Sequence, residues 1–171
     1  MSLNDGTLVE RSLAGDRNAF SALVARHLPW VCAVLAAHIE AEYIEDLAST
    51  VFQRAWRSLG SLRDRDRFAA NLFELLQREL AAMRAALPQS WRIPQPPHAD
   101  EWMEPETQMQ MAFLSLGSED RALLAMIQEA RIGYDSASSI FGLSRSQFER
   151  RLLSTRKRFF HALQQRKEGA R

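Results

Sequence analysis

The 171-residue sequence predicts an all-α protein of two small helical domains joined by a proline-rich linker, the C-terminal domain being a helix-turn-helix. Three observations lead there. Apolar residues recur at three- and four-residue spacing over most of the chain, and no alternating run marks a strand. Glycine and proline number only 7 and 6, and four of the prolines (Pro88, Pro94, Pro96, Pro97) fall in one stretch. Charge is divided unevenly: net −1 over residues 1–87, −3 over 88–117 and +5 over 118–171. This asymmetry suggests that the C-terminal part meets a polyanion. Clustering of charge on a solvated helix is the alternative.

Composition narrows the classes further. With 46% hydrophobic residues a packed core is within reach. Cys32 stands alone, so no intramolecular disulfide can form. No signal-peptide pattern opens the chain, and no apolar segment is expected to reach the roughly 20 residues that span a bilayer. A cytoplasmic protein without a membrane partner is therefore expected. No glycine-rich phosphate loop or nucleophile elbow occurs, and His27, His38, His98 and His161 lack metal-ligand spacing. No catalytic residue, metal or cofactor is expected, and the protein is read as a non-enzyme.

The elements follow in order. Asp5 to Leu13 reads as a short helix ended by Gly15, and Asp16 stands at an N-cap position. Phe20, Leu23, Val24 and Leu28 continue at helical spacing, and Pro29 is expected to open a new helix at its first turn. Glu42 to Ser58 is the most regular helix. Ile44, Leu47, Ala48, Val51, Ala55 and Leu59 mark its buried face, with Phe52 and Trp56 at the border. Trp30 and Trp56 read as core residues. Arg63 to Arg67 is a charged turn, and Phe68 to Leu87 an amphipathic helix. Residues 88–108 form the linker between a domain at 1–87 and one at 109–171. Ser118 is expected to cap a helix running to Ala130. Gly133 breaks it, Tyr134 to Phe141 is a short helix, Gly142 to Ser144 a turn, and Arg145 to about Gln165 the last helix.

Two constellations stand out. Residues 135–163 have the layout of a helix-turn-helix, with small Ala137 and Ser138 at the helix crossing and Gly142 in the turn. Arg145, Ser146, Gln147, Glu149, Arg150 and Arg151 lie near the start of the second helix, the end that enters a major groove in such motifs. Arginine, glutamine and glutamate can each read a base edge. Arg156, Lys157 and Arg158, further on, suit phosphates. The same spacing also fits an ordinary helical hairpin with a solvated basic face. Asp46, Ser49, Thr50, Gln53 and Arg57 share one stripe of the 42–58 helix. They form a candidate protein-binding surface, or the wet side of an amphipathic helix.

The order of segments resembles the extracytoplasmic-function type of bacterial RNA polymerase sigma factor. LVERSLAGDRNAFSALVARHLPWV (8–31) and EDLASTVFQRAWRSLGSLRDRDRF (45–68) are similar to the core-binding domain. LGSEDRALLAMIQEARIGYDSASSIFGLSRSQFERRLLSTRKRFF (116–160) resembles the promoter-binding domain. The resemblance implies region 2-like (1–87) and region 4-like (109–171) domains. The first would dock on core RNA polymerase and open the −10 element, and the second would read the −35 element of promoter DNA as duplex. It assigns Asp46, Gln53 and Arg57 to the polymerase-facing stripe, and Arg145, Gln147, Glu149, Arg150 and Arg151 to the −35 reader.

The chain departs from the family pattern in three places. Thr50 follows Ser49 where the family carries an acid after a glutamine. Asn71 and the pair Gln77-Arg78, with Glu74 and Glu79 nearby, replace a tryptophan and an Arg-Asn pair of the −10 reader. DSASSIFG stands where a Glu-Ile-Ala run is usual. The first departure suggests a switch. Phosphorylation of Thr50 would add roughly −1.5 to −2 charges, replacing the missing carboxylate, and phosphate pairs well with arginine forks. Some members of the family lack this acid and are activated by a Ser/Thr protein kinase. Other readings stay open: a helix-turn-helix regulator acting without polymerase, or a sigma mimic that binds an anti-sigma protein.

Overall fold

The computed structural model describes residues 3–86 and 105–169, with side chains to residue 165. Among them every regular element is helical: α1 (Asp5–Leu13), α2 (Arg17–Ala36), α3 (Ile44–Ser58), α4 (Phe68–Ala86), α5 (Pro105–Leu114), α6 (Ser118–Gln128), α7 (Tyr134–Ile140) and α8 (Arg145–Gly169). Short 3-10 turns stand at Ala41–Tyr43, Leu59–Ser61 and Arg65–Arg67.

Local chemistry sets most boundaries. Asn4 caps α1 by accepting from the Thr7 amide, and Asp16 caps α2 by accepting from Asn18 and Ala19. Ser118 departs from its expected role. Gly117 holds the N-cap position of α6 without a side-chain cap, and the Ser118 hydroxyl turns to His38 instead. Pro29 departs as well: α2 runs through it as one helix of 20 residues. An interior proline costs about 3 kcal/mol. Trp30, Val31, Val34 and Leu35, just beyond it, are all 1% exposed or less. Each such side chain returns roughly 1.5–3 kcal/mol on burial, so packing outweighs the break. By length and hydropathy α2 could also cross a membrane, which corrects the expectation that no segment reaches that limit.

α1 to α4 form one unit around Leu23, Trp30, Val51, Phe68 and Leu76. Gly6 lets α1 approach the 65–67 turn, where an added Cβ would lie 2.3 Å from an Asp66 carboxylate oxygen. A polar staple joins α1 to α2. His27 Nε2 lies 2.8 Å from Asp5 Oδ2, while Trp30 Nε1 donates to His27 Nδ1 at 3.0 Å, so Nε2 carries the proton that Asp5 accepts. Burial opposes the Asp5 charge, but the hydrogen bonds from His27 and Arg26 and the Arg26 charge outweigh it and hold the carboxyl below its ordinary range. The folded pKa is depressed, so this stability is present above about pH 4 and is lost as pH falls through the folded value. Asp5→Asn should cost about 1.5–3 kcal/mol in urea unfolding at pH 7, with the difference from wild type shrinking as pH falls below about 4.

α5 to α8 form the second unit around Leu116, Leu123, Leu124, Ala137, Phe148 and Leu152. Pro105 already opens α5, so residues 105–108, expected in the linker, are helical; the rest of the expected linker falls outside the described residues. The two units also meet through apolar packing. Ala122 and Met126 of α6 and Ile140 of α7 join the core of the first unit, and Phe141 stacks against Phe73 with ring centroids 4.7 Å apart. Apolar contact thus runs across the junction of the two units.

Candidate functional site

The amphipathicity of α3 decides where its polar stripe faces. Ala48, Val51, Phe52 and Ala55 are buried against α2 and α4. Asp46, Ser49, Gln53 and Arg57 are exposed and Thr50 is half-buried, so the shared core leaves the stripe at the surface. Its members are pre-wired along the helix. The Thr50 hydroxyl donates to the Asp46 carbonyl at 2.9 Å, and Gln53 Nε2 donates to the Ser49 hydroxyl at 3.2 Å.

Beside this stripe, between α2 and α3, lies an open groove of about 1110 Å³ that sequence reasoning missed. Phe20, Val24, Leu28, Ile44, Phe52 and Trp56 line it, and Ser49, Gln53 and Arg57 stand on its rim. Trp56, expected in the core, is 43% exposed there and meets Phe20 edge-on. The signal was available: Phe20, Val24 and Leu28 follow a four-residue period on a helix whose opposite face already fills the core.

Glu79, one of the two acids near the altered −10 reader positions, is 6% exposed and pairs with Arg54 of α3 at 2.5 Å. It joins α3 to α4. Glu74 is exposed, while Asn71 and Gln77 are half-buried.

On the second unit, α7 and α8 enclose a turn at 141–144. Gly142 adopts φ +64°, a conformation that favours glycine. Ser144 and Gln147 cap α8 reciprocally: the Gln147 amide donates to the Ser144 hydroxyl, and the Ser144 amide donates to Gln147 Oε1. Gln147 is thereby occupied in the free chain, while Ser146 is exposed. Arg145 pairs with Asp135 at 2.7 Å and with Glu149 at 3.0 Å, and hydrogen bonds to Glu149 and then Asp135 raise its pKa further. Arg151 pairs with Glu119. Arg158 donates to both carboxylate oxygens of Asp120, which also accepts from Thr155. Burial opposes the Asp120 charge, but hydrogen bonds from Arg158 and Thr155 prevail and lower its pKa.

The basic residues of α8 whose side chains are described therefore divide into two sets. Arg145, Arg151 and Arg158 hold the unit together, whereas Arg150, Arg156 and Lys157 form no ion pair among the described residues. No cluster of His, Cys, Asp and Glu suited to a metal occurs among the described residues.

No protein-family model matches the chain. Over 73 residues, 43% of its length, the chain is 34% identical to the ECF RNA polymerase sigma-E factor of Haemophilus influenzae. Over the same length it is 32% identical to the ECF RNA polymerase sigma-E factor of Escherichia coli. It spans only 39% and 38% of those two proteins. The solved structure of CnrH in complex with the cytosolic domain of CnrY matches with a TM-score of 0.65 and 20% identity, over 94% of this chain and 97% of that one. The chain is thus similar to ECF sigma-E factors in part of its sequence, and to CnrH in fold over nearly its whole length.

Proposed function

We propose that this chain is a sigma factor that binds core RNA polymerase and directs promoter-specific transcription initiation in the cytoplasm. The observation that carries the reading is the exposure of the α3 stripe in a protein whose two units otherwise share a core. Asp46, Ser49, Thr50, Gln53 and Arg57 meet the polymerase, with the α2–α3 groove beside them to take an apolar side chain of the partner. The α7–α8 pair meets promoter DNA: Arg145, Ser146, Gln147, Glu149, Arg150 and Arg151 read the duplex, and Arg156 and Lys157 hold phosphates. An anti-sigma protein is a further partner, since CnrH is described in complex with the cytosolic domain of CnrY. The chain carries no chemistry and needs no cofactor. Run-off transcription with core polymerase tests the proposal. A promoter-specific transcript supports it. Binding to duplex DNA without any transcript would favour a helix-turn-helix regulator, and binding only to an anti-sigma protein would favour a sigma mimic.

Phosphorylation at Thr50 regulates the docking. The hydroxyl is half-buried on the polymerase-facing stripe. Arg54, one turn along, is engaged by Glu79, which leaves a phosphate on Thr50 to basic groups of the partner. In a pull-down with core polymerase, Thr50→Glu should bind about tenfold more tightly than Thr50→Ala, equivalent to about 1.4 kcal/mol. Equal retention of the two variants would sink the switch and leave the sigma-factor reading to the transcription assay.

A further inference from the structure

The seam between the two units contains a polar junction that the proposed function does not use. His38, at the end of α2, reaches the start of α6. Its Nδ1 lies 2.6 Å from the Val34 carbonyl, and its Nε2 lies 3.0 Å from the Ser118 carbonyl and 3.1 Å from the Ser118 hydroxyl. The shortest of these distances is to a carbonyl, which can only accept, so Nδ1 carries the proton of the neutral ring. Nε2 then accepts from the Ser118 hydroxyl.

The charged groups facing this ring are both cationic: Arg84 from α4 and Arg121 from α6. Arg121 is 2% exposed and donates from Nη1 to the Leu114 carbonyl, while its Nε is buried without a partner. Arg84 Nη2 is likewise buried and unpartnered. Among the described residues no carboxylate forms an ion pair with His38, Arg84 or Arg121. Three basic groups from three helices therefore meet where the units close, with no carboxylate among the described residues paired to them.

We propose that His38 is a proton-sensitive latch: a neutral ring holds the two units closed, and a proton taken up on Nε2 adds a third positive charge beside Arg84 and Arg121 and opens them. The opposing effect is a hydrogen bond from protonated Nε2 to the Ser118 carbonyl. Burial first, and then the two guanidiniums, outweigh the hydrogen bonds to Val34 and Ser118 and hold the His38 pKa below the ordinary imidazole value. The open state, with its ring in water, binds more protons. The closed state is therefore fully favoured above about pH 6.5 and loses ground as pH falls from there through the lowered value.

Energy transfer between dyes at Ala22→Cys on α2 and Gln164→Cys on α8, in a full-length Cys32→Ser background, tests the latch between pH 8 and 5.5. Transfer should fall with acid as the open-to-closed ratio rises by up to about tenfold per pH unit. His38→Gln, which keeps a polar side chain and cannot titrate, should give a flat profile. Arg84→Met should weaken the response and move its midpoint to lower pH, because with one like charge gone the closed state tolerates the protonated ring. The proposal is overturned if the parent profile is flat, if His38→Gln keeps the parent response, or if Arg84→Met leaves the midpoint in place.

Discussion

Arg54→Met should lower the unfolding free energy by about 3 kcal/mol, and Glu79→Leu in the same chain should restore most of that loss. Glu79 places its carboxylate in the α3–α4 interface at 6% exposure, and Arg54 is its ion-pair partner at 2.5 Å. Without Arg54 the carboxylate is left buried without its ion-pair partner, which costs stability. Breaking a fully buried pair costs about 3–5 kcal/mol. The lower end applies because the Arg54 side chain is 56% exposed. An ordinary surface pair would show less than about 1 kcal/mol, so urea unfolding of both single variants and the double variant decides between the two pictures. The consequence reaches the α3 stripe. Asp46, Ser49, Gln53 and Arg57 face outward only while α3 is held against α4, so in the proposed function Arg54→Met weakens polymerase binding and the double variant recovers it.

Glu79 also shows where sequence reasoning runs out. Helical period and capping chemistry locate α1, α3, α4 and α7 to within a residue or two, because each has one apolar face and punctuated ends. The outward face of α3 is legible for the same reason. Pro29 misleads because local backbone cost is visible in sequence, whereas the burial of Trp30 and Val34 that overrides it is a tertiary effect. Ser118 misleads because a hydroxyl suited to its own helix end also suits a histidine 80 residues away, and the distant partner wins. Glu79 and Arg54, on different helices, carry no mark of their pairing. The joining of the two cores through Met126, Ile140 and Phe141 is equally hidden, since a residue that covers a neighbouring unit looks like one that covers its own. On α8, spacing treats all the arginines alike, and only the positions of Asp120, Glu119 and Asp135 divide those paired within the chain from those without an ion pair among the described residues.

That division sets the other large expected effect. Replacing Arg150, Arg156 and Lys157 together by alanine should weaken binding of the full chain to a 30-base-pair duplex by about 10²–10³-fold near 0.1 M salt. The logarithmic salt slope should become shallower by about 1.8, close to 0.9 for each of the phosphates no longer neutralised by Arg156 and Lys157, while the loss of Arg150 removes a base contact. These three side chains form no ion pair among the described residues, so the fold should survive their removal and thermal unfolding should move little. Arg151→Ala should behave in the opposite way. It removes a tie to Glu119 that joins α8 to α6, so it lowers stability while changing the salt slope by less than about 0.9. Arg145→Ala should keep most of the salt dependence and alter the preference among duplex sequences, because the side chain must leave Asp135 and Glu149 to reach a base edge. If the triple variant bound duplex as the parent does, with the same salt slope, α7 and α8 would be an ordinary helical hairpin and the basic face of α8 merely its solvated side.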